Sequence, residues 1–213
     1  MNLDLYVITD EEVAGNLSHA EIAQRAIAGG AEVIQLRDKA CGCKNLLWIG
    51  RVIREITRKT GTLFMVNDRL DVALACGADG VHLGQDDMGV GVARQIAPPG
   101  FILGVSVGTI EEAVLAERDG ADYVAVSPLF PTTSKNDAGP GYGLKVLQEI
   151  RQNVSVPVIA IGGVNRDNVN DVIAAGADGI AVISAVVGSP NIMKAARELR
   201  EMIRKSKANI RSQ

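Results

Sequence analysis

Cys76-Gly77-Ala78-Asp79-Gly80 recurs in altered form as Gly29-Gly30-Ala31-Glu32-Val33, Asp119-Gly120-Ala121-Asp122-Tyr123 and Ala175-Gly176-Ala177-Asp178-Gly179. Each copy sets a glycine after a helical pattern, then alanine, an acidic residue and a short apolar run. A glycine suits the position just past a helix end because the backbone there often needs a positive φ. Eight strand-like runs surround these copies, at 5–9, 33–37, 63–67, 80–83, 102–106, 123–126, 157–161 and 179–183. They are apolar at successive positions rather than at every second one, as in parallel strands covered on both faces. Amphipathic helical patterns fill the gaps at 18–28, 44–59, 69–76, 110–119, 144–153 and 166–175. The motif precedes the second, fourth, sixth and eighth runs, so the repeating unit is βαβα. Good helix caps explain each copy alone but not the alternate placement, whereas a closed barrel of four such units does.

The predicted fold class is therefore α/β, a single (β/α)8 TIM barrel. Eight units in 213 residues leave about 27 apiece, compact for this architecture and with little left for an inserted domain. The expectation is one domain over 1–213 with its core at roughly 5–202. The basic segment 203–213, with Arg204, Lys205, Lys207 and Arg211, reads as a solvated, frayed tail.

Composition narrows the function. A net charge of −3 argues against nucleic acid as a partner, because neutralising phosphates needs a basic surface, and seven aromatic residues give few platforms for bases. No apolar run reaches membrane-spanning length, and the first ten residues lack the basic flank and long apolar core of an export signal. Cys41, Cys43 and Cys76 are odd in number and wrongly spaced for a usual zinc site. They read as free thiols in a reducing cytoplasm. Self-association into a homo-oligomer is left open.

TIM barrels carry their chemistry at the C-terminal ends of the strands, and here those ends are polar. Gln35, Arg37 and Lys39, spaced by two, fall on one side of an extended segment. Arginine grips phosphate with paired N–H groups and lysine acts as a point charge, so Arg37 and Lys39, with Lys135 as a third cation, point to a phosphate. Surface ion pairs with Asp38 are the plain alternative. Asp68 and Asp87 close the third and fourth runs, and one or two carboxylates plus substrate phosphate suit Mg2+; Asp68 could equally cap the helix that follows it. Asp86 is expected to face away from Asp87. Gly162-Gly163 and Ile183-Ser184 end the seventh and eighth runs, the recurrent phosphate cradle of these barrels. The long connection from Ser127 to Gly143 reads as an active-site loop bearing Thr132, Ser134 and Lys135, and its Gly139–Gly143 end as a turn into a helix. His19, Trp48 and the methionines read as structural or packing residues. His82 serves as either a buried hydrogen-bonded imidazole or a base.

Together these segments resemble the thiamine-phosphate synthase family. The resemblance rests on Tyr6-Val-Ile-Thr-Asp10, Gln35-Leu-Arg-Asp-Lys39, Asn67-Asp-Arg69, Ala78-Asp-Gly-Val-His-Leu-Gly-Gln-Asp-Asp87, Gly104-Val-Ser106, Pro131-Thr-Thr-Ser-Lys135, Ile161-Gly-Gly-Val164 and Ile183-Ser184, in the family's order. It implies that Gln35, Arg37, Lys39, Asn67, Ser106 and Lys135 bind hydroxymethylpyrimidine pyrophosphate, with Arg37, Lys39, Ser106 and Lys135 catalytic. It implies Mg2+ on Asp68 and Asp87, and thiazole phosphate on Thr132, Ser134, Gly163, Ile183 and Ser184. Ser134 stands where threonine is more usual, and Ser127 where glycine often is. A thiazole tautomerase on the same barrel would not need the two carboxylates or the Gln35, Arg37 and Lys39 set. A silent ligand-binding barrel would be expected to lose its metal ligands first. A phosphosugar isomerase would call for an acid–base pair.

Overall fold

The computed structural model describes residues 1–15, 17–132 and 139–211. All eight predicted runs are strands: β1 (Leu5–Ile8), β2 (Val33–Leu36), β3 (Leu63–Asn67), β4 (Gly80–Leu83), β5 (Ile102–Val107), β6 (Tyr123–Val126), β7 (Val158–Ile161) and β8 (Gly179–Val182). Each pairs in parallel with the next, and β1 also pairs with β8, closing the barrel. Helices α1 (His19–Ala28), α2 (Cys43–Arg58), α3 (Leu70–Cys76), α5 (Ile110–Arg118), α6 (Gly143–Asn153) and α7 (Val169–Ala174) match the six helical patterns; α4 (Val90–Ile96), α8 (Ser184–Val187) and α9 (Ile192–Arg211) complete the ring. No described helix is long and apolar enough to cross a membrane.

Alternation of side chains splits the core into two parts. Between sheet and helices lie Leu5, Val7, Ile34, Leu36 and their equivalents on the other strands. Inside the barrel lie Tyr6, Ile8, Val33, Met65, Tyr123, Ile159 and Ile161. The strands are therefore apolar at successive positions because both faces are buried.

The four motif copies do more than end helices. Gly30, Gly77, Gly120 and Gly176 all take positive φ. The acidic residue that follows each one then clamps the strand before it. Asp79 Oδ2 accepts from Phe64 N (2.8 Å) and Arg54 Nη1 (2.8 Å). Asp122 Oδ2 accepts from Leu103 N (2.7 Å) and Arg94 Nη2 (2.6 Å). Asp178 Oδ2 accepts from Val158 N (2.8 Å) and Arg151 Nη1 (2.9 Å). Glu32 accepts from Leu5 N (3.0 Å) and Arg200 Nε (2.6 Å). Each carboxylate thus fastens the first or second amide of an odd strand to an arginine on α2, α4, α6 or α9, four times around the N-terminal face.

Two packing expectations change. Among the described residues, 203–211 of the basic segment is the end of α9: Ile192, Ala196, Leu199 and Ile203 form a buried stripe at helical spacing, and Lys207 donates to Asp4 and to the Asp178 carbonyl (2.6 Å). Trp48 is 68% exposed, because the buried stripe of α2 runs through Leu46, Gly50, Ile53 and Thr57 and Trp48 lies off it. Met88 and Met193 are exposed as well, while Met65 is buried. His19 is buried, its Nδ1 lying 2.7 Å from Thr9 Oγ1, as a structural residue would be.

Candidate active site

At the C-terminal ends of the strands is a cavity of about 260 Å³. Arg37 and Lys39 reach it from the segment after β2, Asn67 and Asp68 from the end of β3, His82 and residues 84–87 from β4 and its loop, and Ser106 from β5. A larger cavity of about 1100 Å³ opens around Glu32, Asp122 and Arg200 at the N-terminal face and holds none of the predicted site residues.

Arg37 and Lys39 are not spent on Asp38. Arg37 Nη1 bonds Asp10 Oδ2 at 3.1 Å, its Nε is buried without a hydrogen-bond partner, and Lys39 has no ion-pair partner among the described residues. Asp38 instead accepts the N–H groups of Ala40 and Cys41 (2.9 Å each). A buried unmatched N–H costs about 1–3 kcal/mol unless a ligand satisfies it, so Arg37 keeps donor capacity for an anion. Gln35 lies one level lower, 2% exposed and outside the cavity lining, its Nε2 donating to Tyr6 Oη at 2.7 Å.

Asp68 and Asp87 line the same cavity. Asp68 has φ +62°, the one non-glycine residue with positive φ among those described, and its N–H bonds the His82 carbonyl (2.8 Å). It does not cap α3; the cap position is Arg69, with no side-chain capping bond. Asp87 Oδ2 accepts the Gly84 N–H at 2.7 Å. Asp86 is exposed, and it borders the same cavity as Asp87. Among the described residues no three His, Cys, Asp or Glu side chains cluster as a metal group. Two carboxylates facing one cavity nevertheless suit Mg2+, which takes its remaining ligands from substrate phosphate and water.

A smaller cleft of about 30 Å³ brings together Thr132, Gly163, Ile183 and Ser184, all four predicted for the second phosphate and described here. Gly163 has φ +65°, and a β-carbon there would sit 2.7 Å from Phe130 Cβ and the Pro131 carbonyl. Only glycine fits. Ser134 and Lys135 lie outside the described residues. The base of their loop is tied down: Leu129 N and Phe130 N donate to the Ile161 (2.6 Å) and Gly162 (3.0 Å) carbonyls, while Tyr142 N and Gly143 N donate to the Pro128 (3.0 Å) and Leu129 (2.8 Å) carbonyls. Gly143 opens α6, so the Gly139–Gly143 stretch is the turn into a helix that the sequence suggested.

Sequence reasoning missed Asp10, Gln85, Glu112 and Tyr142. Gln85 Nε2 holds the Ser106 carbonyl (2.7 Å), and Glu112 Oε2 holds the Gly108 N–H (2.7 Å). Tyr142 lies so close over Gly108 that a β-carbon would come within 2.1 Å of its Oη. The available signals were Asp10 in the first motif and Glu112 three residues after the capping Thr109.

A family profile described as thiamine monophosphate synthase matches residues 5–186. A protein of Methanoregula boonei named thiamine-phosphate synthase is 66% identical over 211 residues, covering 99% of this chain and 98% of its own. One of Methanoculleus marisnigri with the same name is 59% identical over 98% of this chain and 99% of its own. Among solved structures, thiamine phosphate pyrophosphorylase from Pyrococcus furiosus superposes with a TM-score of 0.89 at 45% identity, covering 96% of this chain and 97% of its own. With this extent of identity over nearly its whole length, the chain belongs to the thiamine monophosphate synthase family.

Proposed function

We propose that the chain transfers the hydroxymethylpyrimidine group from its pyrophosphate ester to the ring nitrogen of thiazole phosphate, releasing pyrophosphate and forming thiamine phosphate. It is a transferase of its family. The observation that carries this reading is the convergence of Arg37, Lys39, Asn67, Asp68, Asp87 and Ser106 on one cavity, beside a cleft made of Thr132, Gly163, Ile183 and Ser184.

In this reading Arg37 and Lys39, joined by Lys135 from the loop, grip the diphosphate and stabilise it as it departs. Ser106 and Asn67 orient the ester, and Gln35 sits beneath them. Asp68 and Asp87 would hold Mg2+, which when bound supplies further neutralisation of the leaving diphosphate. The aminopyrimidine ring delocalises positive charge as the C–O bond breaks, and the thiazole nitrogen completes the transfer. The backbone around Gly163 and Ser184, with Thr132 and Ser134, fixes the thiazole phosphate so that its nitrogen lies in line. No protein nucleophile is required; positioning and electrostatics do the work. Small molecules are the proposed partners, with neither nucleic acid nor membrane involved. A cytoplasmic location is supported by three free cysteines.

The test mixes purified protein with both substrates, with and without Mg2+, and looks for thiamine phosphate by mass. Metal-dependent product is expected. Interconversion of thiazole tautomers with no pyrimidine consumed would favour a tautomerase instead, and no change in either substrate would overturn the reading.

A further inference from the structure

Five polar side chains from five strands join hands through the otherwise apolar interior of the barrel. Gln35 Nε2 lies 2.7 Å from Tyr6 Oη, and Tyr6 Oη lies 3.2 Å from Tyr123 Oη. Tyr123 Oη lies 2.9 Å from His82 Nδ1, and His82 Nε2 lies 2.9 Å from Ser106 Oγ. Gln35, Tyr6 and Tyr123 are at most 2% exposed; only His82 and Ser106 touch the cavity. The ring of Tyr123 occupies the space that a β-carbon on Gly104 would fill, 2.0 Å from its Cζ, and stacks on His82 with centroids 5.6 Å apart. Barrel interiors are filled mainly by Val, Ile and Leu, and polar groups there are costly unless fully satisfied.

We propose that Tyr6, Tyr123 and His82 form a one-way hydrogen-bond line that leaves the Ser106 hydroxyl proton free to donate into the cavity, making all three positioning residues for the transfer. This rests on the function proposed above, in which Ser106 meets the diphosphate ester.

The direction follows from the donor inventory. Gln35 Nε2 can only donate, so Tyr6 Oη accepts from it. Burial raises the pKa of both phenols well above the usual tyrosine value, so each keeps one O–H to give. Among the described residues the Tyr6 hydroxyl has only Gln35 and Tyr123 as hydrogen-bond neighbours. Its proton therefore goes to Tyr123, and that of Tyr123 goes to His82 Nδ1. An imidazole that accepts at Nδ1 carries its proton on Nε2, and that proton goes to Ser106 Oγ. Ser106 cannot then donate to His82. Its own O–H is left for an acceptor in the cavity, where a phosphate oxygen makes the bond charge-assisted. With the opposite polarity Ser106 would spend its proton on His82, and the buried Tyr6 hydroxyl would lose its acceptor.

The test uses the full chain in two measurements. Only two histidines occur, His19 and His82, so nitrogen-15 NMR with a His19→Gln variant assigns both imidazoles. The expected state is His82 protonated at Nε2 and bare at Nδ1, giving way to mixed tautomers in Tyr123→Phe. In kinetics, Tyr123→Phe should lower kcat by about 10–100-fold, the range for losing an outer partner of a site residue, with KM for thiazole phosphate unchanged. Tyr6→Phe should do the same more weakly. In a Ser106→Ala background the Tyr123→Phe loss should disappear. A wild-type His82 protonated at Nδ1, or Tyr123→Phe and Ser106→Ala losses that multiply independently, would overturn the proposal. If Tyr123→Phe does not fold, the wild-type tautomer and Tyr6→Phe still decide it. Should the wild type make no thiamine phosphate, the functional reading falls, while the tautomer still reports the line by itself.

Discussion

Asp68 sits in a backbone conformation that costs a residue with a β-carbon roughly 1 kcal/mol or more, with φ at +62° at the mouth of the barrel. Aspartate tolerates this region better than most residues, and the strain buys a carboxylate turned toward the cavity it shares with Asp87. Asp68→Gly separates the two contributions. Relief of strain should offset the lost side-chain contacts, leaving stability within about 1 kcal/mol of the parent. Turnover should fall by ~10²-fold or more, as on losing an electrostatic stabiliser, and Asp87→Ala should match that fall. Denaturant melts and steady-state rates measured together check this; near-normal turnover at saturating Mg2+ would remove both residues from the metal site. The sequence placed a carboxylate here but left its role open between ligand and helix cap. That choice turns on one backbone angle and on Arg69 occupying the cap position, neither of which side-chain identity encodes.

At the scale of elements, the loops after β6 and β7 hold one another. The Ile161 and Gly162 carbonyls receive the Leu129 and Phe130 amides, and Gly163 fits under Phe130 and Pro131 because it has no side chain. Gly163→Ala adds a β-carbon into a 2.7 Å gap and a positive φ. We expect a stability loss of about 1–3 kcal/mol. KM for thiazole phosphate should rise at least ~10-fold, about 1.4 kcal/mol of binding, with binding of the pyrimidine substrate unchanged. Titration of each substrate separately checks it, and equal weakening of both would show that the two clefts are not separately built. The strands and six of the helices were legible because apolar runs and helical spacing announce them. α4, α8 and α9 were not among the predicted patterns: α4 (Val90–Ile96) follows Gly89 without a side-chain cap, α8 spans four residues, too few turns for a periodic signal, and the end of α9 read as a basic tail because its exposed face carries Arg204 and Lys205.

Across the whole molecule, the fourfold motif joins sequence to closure. Its glycines were readable as helix ends, but the work of its acidic residues was not, because their arginine partners lie far away, as far as 168 positions between Glu32 and Arg200. Glu32 is the copy that ties the two ends of the chain, holding the first amide of β1 on one side and α9 on the other. Its side chain is 11% exposed and that of Arg200 30%, so both bonds are partly shielded from water. Charge-assisted hydrogen bonds of this sort contribute about 1.5–3 kcal/mol, and each kcal/mol moves Tm by about 2–4 °C for a chain of this size. Glu32→Ala should therefore lower Tm by roughly 3–12 °C and speed hydrogen exchange at the Leu5 amide. The rate per folded molecule should not change, since Glu32 faces the end of the barrel opposite the catalytic cavity. Calorimetry and hydrogen exchange on the variant decide the matter: a lost rate with an unchanged Tm would mean that the N-terminal clamps shape the active face through the strands rather than simply closing the barrel.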